Sequence, residues 1–129
     1  MTKAPSSEEM IQTIADFIEL GHVENIVSMF KQEKDYYQYT GHLIRDERFM
    51  ARMGLAVLFE ELAVARPQDV LLAVPSLLPV LQEEKPYLRG DAATLLGIIG
   101  TEEAREQIRK LLNDPDAQVK EIAEDILRG

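Results

Sequence analysis

Apolar residues recur at helical spacing from Met10 to Leu127, and one arrangement of them repeats. Between Pro86 and Gly100, Leu88, Ala92, Leu95 and Leu96 line one face of a helix, with Arg89 beside them. The same slots 31 residues later hold Val119, Lys120, Ala123, Ile126 and Leu127, and 37 residues earlier Ala51, Arg52, Leu55, Leu58 and Phe59. A second series keeps the offset of 31, with Ala73, Leu77, Val80 and Leu81 returning as Ala104, Ile108, Leu111 and Leu112. Recurrence at this period predicts helix pairs that bury their apolar faces on one another in a stack.

Breakers and caps divide the pattern into elements. Ser6 and Glu9 have the spacing of a capping box, and the stripe that follows stops at Gly21. Val23, Ile26, Val27, Phe30, Tyr37 and Ile44 then predict either one long helix or two pieces broken near Lys34-Asp35. Arg48 to Ala65 forms a helix ended by Pro67. In Gln68–Glu84, Pro75 falls near a helix start, whereas Pro79 should kink or shorten the element. Thr101 caps a helix through Leu112, and Asp114-Pro115 reads as a cap followed by a first-position proline, with a last helix to about Leu127. No alternating strand pattern remains. The expectation is an all-α chain of about eight helices in one domain over 1–129, with 1–45 as a degenerate capping hairpin and 46–129 as clear repeats.

Leu-Arg-x-x-Ala-Ala-x-x-Leu-Gly-x-Ile-Gly (Leu88 to Gly100), an amphipathic helix, and then Asp114-Pro115-Asp116 resemble the HEAT-like repeats also found in phycobilin lyases. The resemblance covers Asp46–Gly129 and is weak over residues 1–45. It implies antiparallel helix pairs stacked in a short right-handed α-α superhelix that presents a surface to a protein partner. It further implies that the second helices, Val74–Glu83 and Thr101–Leu112, line the concave side. Two alternatives accompany that adaptor role: a lyase-like cradle for a small hydrophobic molecule between the layers, and a purely structural homo-oligomer. An adaptor predicts a filled interior, whereas a cradle needs an apolar pocket of roughly 300 Å³ or more.

Charge narrows the classes of partner. The net charge is −9 and no quarter of the chain is basic, which disfavours nucleic acid and anionic membrane surfaces. There is no cysteine, hence no disulfide framework and no thiolate chemistry. The start lacks the apolar stretch of a secretory signal, and a cytoplasmic location fits. His22 and His42 do not converge with carboxylates into a metal set, and no phosphate loop or catalytic signature occurs, so a non-enzyme without cofactor is expected. The last helix has no helix after it. Lys120, Glu121, Glu124, Asp125 and Arg128 would cover its far side, and failing that the end would pair with a second copy about a two-fold axis.

Three features are candidates for function. Asp46, Glu83 and Asp114, each six residues before Arg52, Arg89 and Lys120, form charged ladders that read either as a ligand strip or, better, as pairs fixing the stack. Arg89-Gly90-Asp91 spells an adhesion tripeptide, but it lies inside a predicted helix where Gly90 suits close helix approach. The densest aromatic cluster is Tyr36, Tyr37 and Tyr39 with His42, Arg45 and Arg48. The three rings cannot share one helix stripe, so at least one should lie at a surface or interface. Tyrosine and arginine dominate interface energetics, which makes Tyr36, Tyr37, Tyr39, Arg45, Arg48 and Arg52 the candidate protein-binding residues. The alternative is that Tyr37 packs inside while Tyr36 and Tyr39 cover its edges.

Overall fold

The computed structural model describes residues 6–129. Its first helix starts as its capping residues dictate. The Ser6 hydroxyl accepts the Glu9 N–H (3.2 Å) and the Glu9 carboxylate accepts the Ser6 N–H (3.4 Å), opening α1 (Ser7–Glu19). The next stripe is two pieces. α2 (Val23–Gln32) stops at Glu33, whose extended backbone (φ −137°, ψ 108°) turns the chain into a 3-10 segment, Lys34–Tyr39, and then α3 (Thr40–Leu43).

α4 (Phe49–Ala65) ends before Pro67, and its partner is broken by proline as expected. A 3-10 turn (Asp69–Ala73) leads into α5 (Val74–Leu77) and a further 3-10 turn (Leu78–Gln82). Pro75 and Pro79 each sit in the first turn of their piece, where no intrahelical N–H is required. α6 (Pro86–Ile99) closes on Gly100, whose φ of 76° is the left-handed helix-ending conformation. α7 (Glu102–Arg109) is capped by the Thr101 hydroxyl, which accepts the Ala104 N–H, and runs into a 3-10 turn at Lys110–Asn113. α8 (Ala117–Arg128) differs from the expected start. Asp116, not Asp114, is its cap, accepting the N–H groups of Gln118 and Val119 at 3.0 Å each. Asp114 is turned inward to Arg89, and its Oδ1 also accepts the Asp116 N–H at 2.9 Å, one residue ahead of the helix.

The described residues contain no strand, and the helices form an all-α, solenoid-like stack. α1, α4, α6 and α8 pack side by side in order as a first layer, with α2 across α4 and α1. Behind them, the segments 34–43 and 69–82 pack on each other, and α7 packs on α6 and α8. The repeat slots are inward slots, except that Leu112 is exposed and Ile126 and Leu127 are only half-buried. Ala51, Leu55, Leu58 and Phe59 are buried, as are Leu88, Ala92, Leu95 and Leu96, and Val119 and Ala123 at the end. Phe30, Tyr37, Phe59, Leu62 and Leu77 fill the space between the layers, each fully buried. A side chain of this size contributes about 1.5–3 kcal/mol on burial, so this seam is the principal stabilising element. The outward residues of α8, Lys120, Glu121, Glu124, Asp125 and Arg128, are all exposed.

Two glycines set the spacing. A Cβ on Gly90 would lie 3.0 Å from Ile122 Cδ1, so glycine lets α8 seat closely on α6. Gly41 lies tighter still: a Cβ there would meet the carbonyl oxygen of Ser76, while its N–H donates to the Ser76 hydroxyl at 3.0 Å.

Candidate binding surface

Two rungs of the basic ladder, Arg52 and Arg89, are joints between repeats, whereas Lys120 is exposed. Arg89, in the first turn of α6, donates Nε to Asp114 Oδ2 and Nη2 to Asp114 Oδ1, both at 2.8 Å. Its Nη1 donates to the carbonyls of Glu83 and Glu84 at the end of the preceding segment. Arg52 repeats the geometry one unit earlier: Nη1 donates to the carbonyls of Asp46 and Glu47 at 2.9 Å, and Nε to Asp91 at 2.9 Å. Each arginine therefore closes the end of one helix pair while tying its own helix to the next. The acid ladder is used unevenly: Glu83 pairs with Arg45 (2.9 Å), and Asp46 with Arg48 (3.0 Å). Arg89, Gly90 and Asp91 are thus each committed within the fold, to Asp114, Ile122 and Arg52 in turn.

The six predicted positions do not form one face. Tyr37 is fully buried, its ring edge-on to Phe30 and Phe59, and burial pushes its hydroxyl up to about 12. That hydroxyl has no hydrogen-bond partner among the described residues. Tyr36 and Tyr39 are half-buried, their rings tilted at 43° to each other with centroids 6.3 Å apart at the edge of the same seam, and the Tyr39 hydroxyl is 3.5 Å from that of Ser7. Arg45 donates to Glu83 and to the Gly41 carbonyl. Arg48, the residue before α4, is held by Asp46, Asp16 and Glu19 at 2.8–3.0 Å. Hydrogen bonds from Arg48 hold the carboxyls of Asp16 and Asp46 below the usual range. Only Arg48 and Arg52 of the six stand on or next to α4.

α4 itself carries a surface that the repeat register did not single out. Of its 17 residues only Arg52, Glu60 and Glu61 are charged, so it is apolar almost all the way round. A helix of that kind is ordinarily enclosed on every side. Here the inward stripe is buried, but Phe49, Met50, Met53, Val57 and Val64 are each about half exposed or more, Val64 reaching 85%. Their spacing places them along one outer face of the helix. The Arg52 guanidinium lies 4.6 Å from the centre of the Tyr87 ring and 5.9 Å from that of Phe49, carrying the face across to α6. Glu60 and Glu61 bound its far end, in an open groove with Val57 and Val64. Glu24 of α2 lies against Glu61, and this neighbouring carboxyl raises the pKa of Glu61, with Lys31 opposing. The signal in the sequence was the second apolar stripe at 50, 53, 57 and 64, superimposed on the stripe that fits the repeat.

Among the described residues no group of three or more histidines or carboxylates is arranged to hold a metal ion, and no helix is long and apolar enough to cross a membrane. The depressions among the described residues include surface grooves, such as the 390 Å³ one between α6 and α8 bounded by Tyr87, Asp91, Val119 and Ile122. The family model for HEAT repeats matches residues 44–128. No curated protein and no solved structure matches the chain.

Proposed function

The chain belongs to the HEAT repeat family, and on that premise we propose that it is a non-catalytic protein-binding adaptor or accessory subunit. HEAT repeats commonly act as protein-interaction scaffolds and are generally not catalytic. The observation that carries the reading is the outer face of α4, where Phe49, Met50, Met53, Val57 and Val64 stand open on a helix of interior composition. Contiguous apolar surface of this sort marks an interaction site. Methionine pairs such as Met50 and Met53 suit it further, because a flexible thioether chain adapts to the partner's shape. Of the residues singled out in the sequence, Arg48 and Arg52 border this face and belong to the proposed site. Tyr36 and Tyr39 are an adjoining candidate edge, and Tyr37 acts through the packing beneath them.

The cradle reading draws less support. Its ligand would occupy the space between the layers, and Phe30, Tyr37, Phe59 and Leu77 fill that space. The adaptor is tested by affinity capture from the source lysate, with wild type beside a Met53→Glu/Val57→Glu double variant. A stoichiometric protein held by wild type and lost by the variant is the expected result. Equal capture by both would move the site off α4, and capture of nothing but the chain itself would favour the homo-oligomer.

A further inference from the structure

We propose that the partner segment seated on α4 is a cationic amphipathic helix, with lysine or arginine flanking its apolar stripe. This inference rests on the adaptor reading and adds the chemistry of what is recognised. The open stripe from Phe49 to Val64 spans 15 residue steps, a length of about 22 Å, or some four helical turns. A helix laid along it offers i, i+3, i+4 and i+7 anchors to the same kind of stripe.

Charge sets the sign of the rim. At the C-terminal end of the stripe Glu60 and Glu61 stand beside Val57 and Val64, and Glu24 crowds Glu61 from α2. The Glu24 and Glu61 carboxyls repel one another at neutral pH, and Lys31 opposes the repulsion on Glu61. A partner cation placed there removes the conflict, whereas a partner carboxylate deepens it. At the other end Arg48 is committed to three carboxylates and Arg52 to Asp91, so neither is available to meet an acidic partner, and Lys85, beside the Tyr87 ring, is the cation there without a carboxylate among the described residues.

The same facts disfavour a second copy as the occupant. Each copy brings a net charge of −9, so two copies repel overall. An anionic lipid surface is disfavoured on the same ground.

The test is a fluorescence-anisotropy titration of the full chain against labelled helical peptides of about 16 residues. One carries a Leu/Met stripe flanked by lysine, a second the same stripe flanked by glutamate, and a third has the first composition scrambled so that no stripe forms. The expected result is binding of the lysine-flanked helix at least about tenfold tighter than either control at ~0.15 M salt, weakening as salt rises. Met53→Glu and Val57→Glu, both at exposed positions, should each lower that affinity by about tenfold or more. Glu60→Lys/Glu61→Lys should turn the preference toward the glutamate-flanked helix. Preference of wild type for the glutamate-flanked helix, lost in Met53→Glu, would overturn the inference while leaving protein binding at α4 intact. Equal binding of the scrambled peptide would reduce the effect to bulk charge and overturn it as well. Sedimentation showing a wild-type dimer that Met53→Glu dissociates would make a second copy the occupant. Binding that none of the α4 variants changes would remove both the inference and the site.

Discussion

Replacing Asp114 by asparagine removes half of the joint that holds the last helix. Asp114 and Arg89 are 5% and 12% exposed, and their two hydrogen bonds are both 2.8 Å long. Breaking a buried pair by deleting one charge costs about 3–5 kcal/mol, because the remaining charge is left without compensation. Here Arg89 keeps the carbonyls of Glu83 and Glu84, and the asparagine keeps one oxygen, so the expected loss is about 2–3 kcal/mol. For a domain of this size that corresponds to a fall in Tm of about 10 °C.

The loss should also be local. α8 packs chiefly on α6, α7 and the turn before it, so its amides around Val119–Ala123 should exchange earlier than those of α4. Acid provides an independent check. The Arg89 hydrogen bonds hold the Asp114 carboxyl below its usual range, so its contribution is complete above about pH 4, the unfolded value, and disappears as pH falls through the lower folded value. Wild type and Asp114→Asn should therefore converge in stability toward low pH. Asp125→Asn, which touches the exposed pair with Arg128, serves as control and should move stability by less than about 0.5 kcal/mol. A Tm within about 2 °C of wild type for Asp114→Asn, with unchanged exchange in α8, would refute the reasoning.

Other substitutions probe separate features. Tyr37→Phe deletes a buried hydroxyl that has no partner among the described residues, so urea unfolding should show equal or slightly higher stability, and a loss above about 1 kcal/mol would mean the hydroxyl is satisfied. Gly41→Ala drives a methyl group into the Ser76 carbonyl and should destabilise by about 1–3 kcal/mol in the same assay. Glu61→Gln removes the carboxyl that Glu24 opposes. A raised acid pKa penalises the folded state at pH above the unfolded value of about 4.3, fully so above the folded value, so the variant should be the more stable protein at pH 7 and lose that advantage below about pH 4.

What the sequence made legible was periodicity, caps and breakers. The offsets of 31 and 37 residues identified the inward slots, and Ser6, Thr101, Pro67 and Gly100 bounded helices where backbone chemistry requires it. Asp114 was misread because a carboxylate before a proline suits a cap, and only the fold brings Arg89 within reach from 25 residues away. The tyrosines were ambiguous for a related reason. Their spacing forbids a common stripe but does not say which ring turns inward, and the break at Glu33 decides that. α4 was the hardest case, since a helix apolar on two sides carries no internal mark of which side the chain itself will cover.

The joints between helix pairs also bear on how the chain comes to be folded. The ion pairs that tie one helix pair to its neighbours span 25 to 39 residues. Among the described residues none reaches from one end of the stack to the other, so loop closure is short at every stage and contact order stays low. A chain wired in this way can condense in the order in which it leaves the ribosome. α4 docks once Arg48 meets Asp16, α6 once Asp91 and Glu83 meet Arg52 and Arg45, and the final helix is locked when Asp114 reaches an Arg89 already waiting in place.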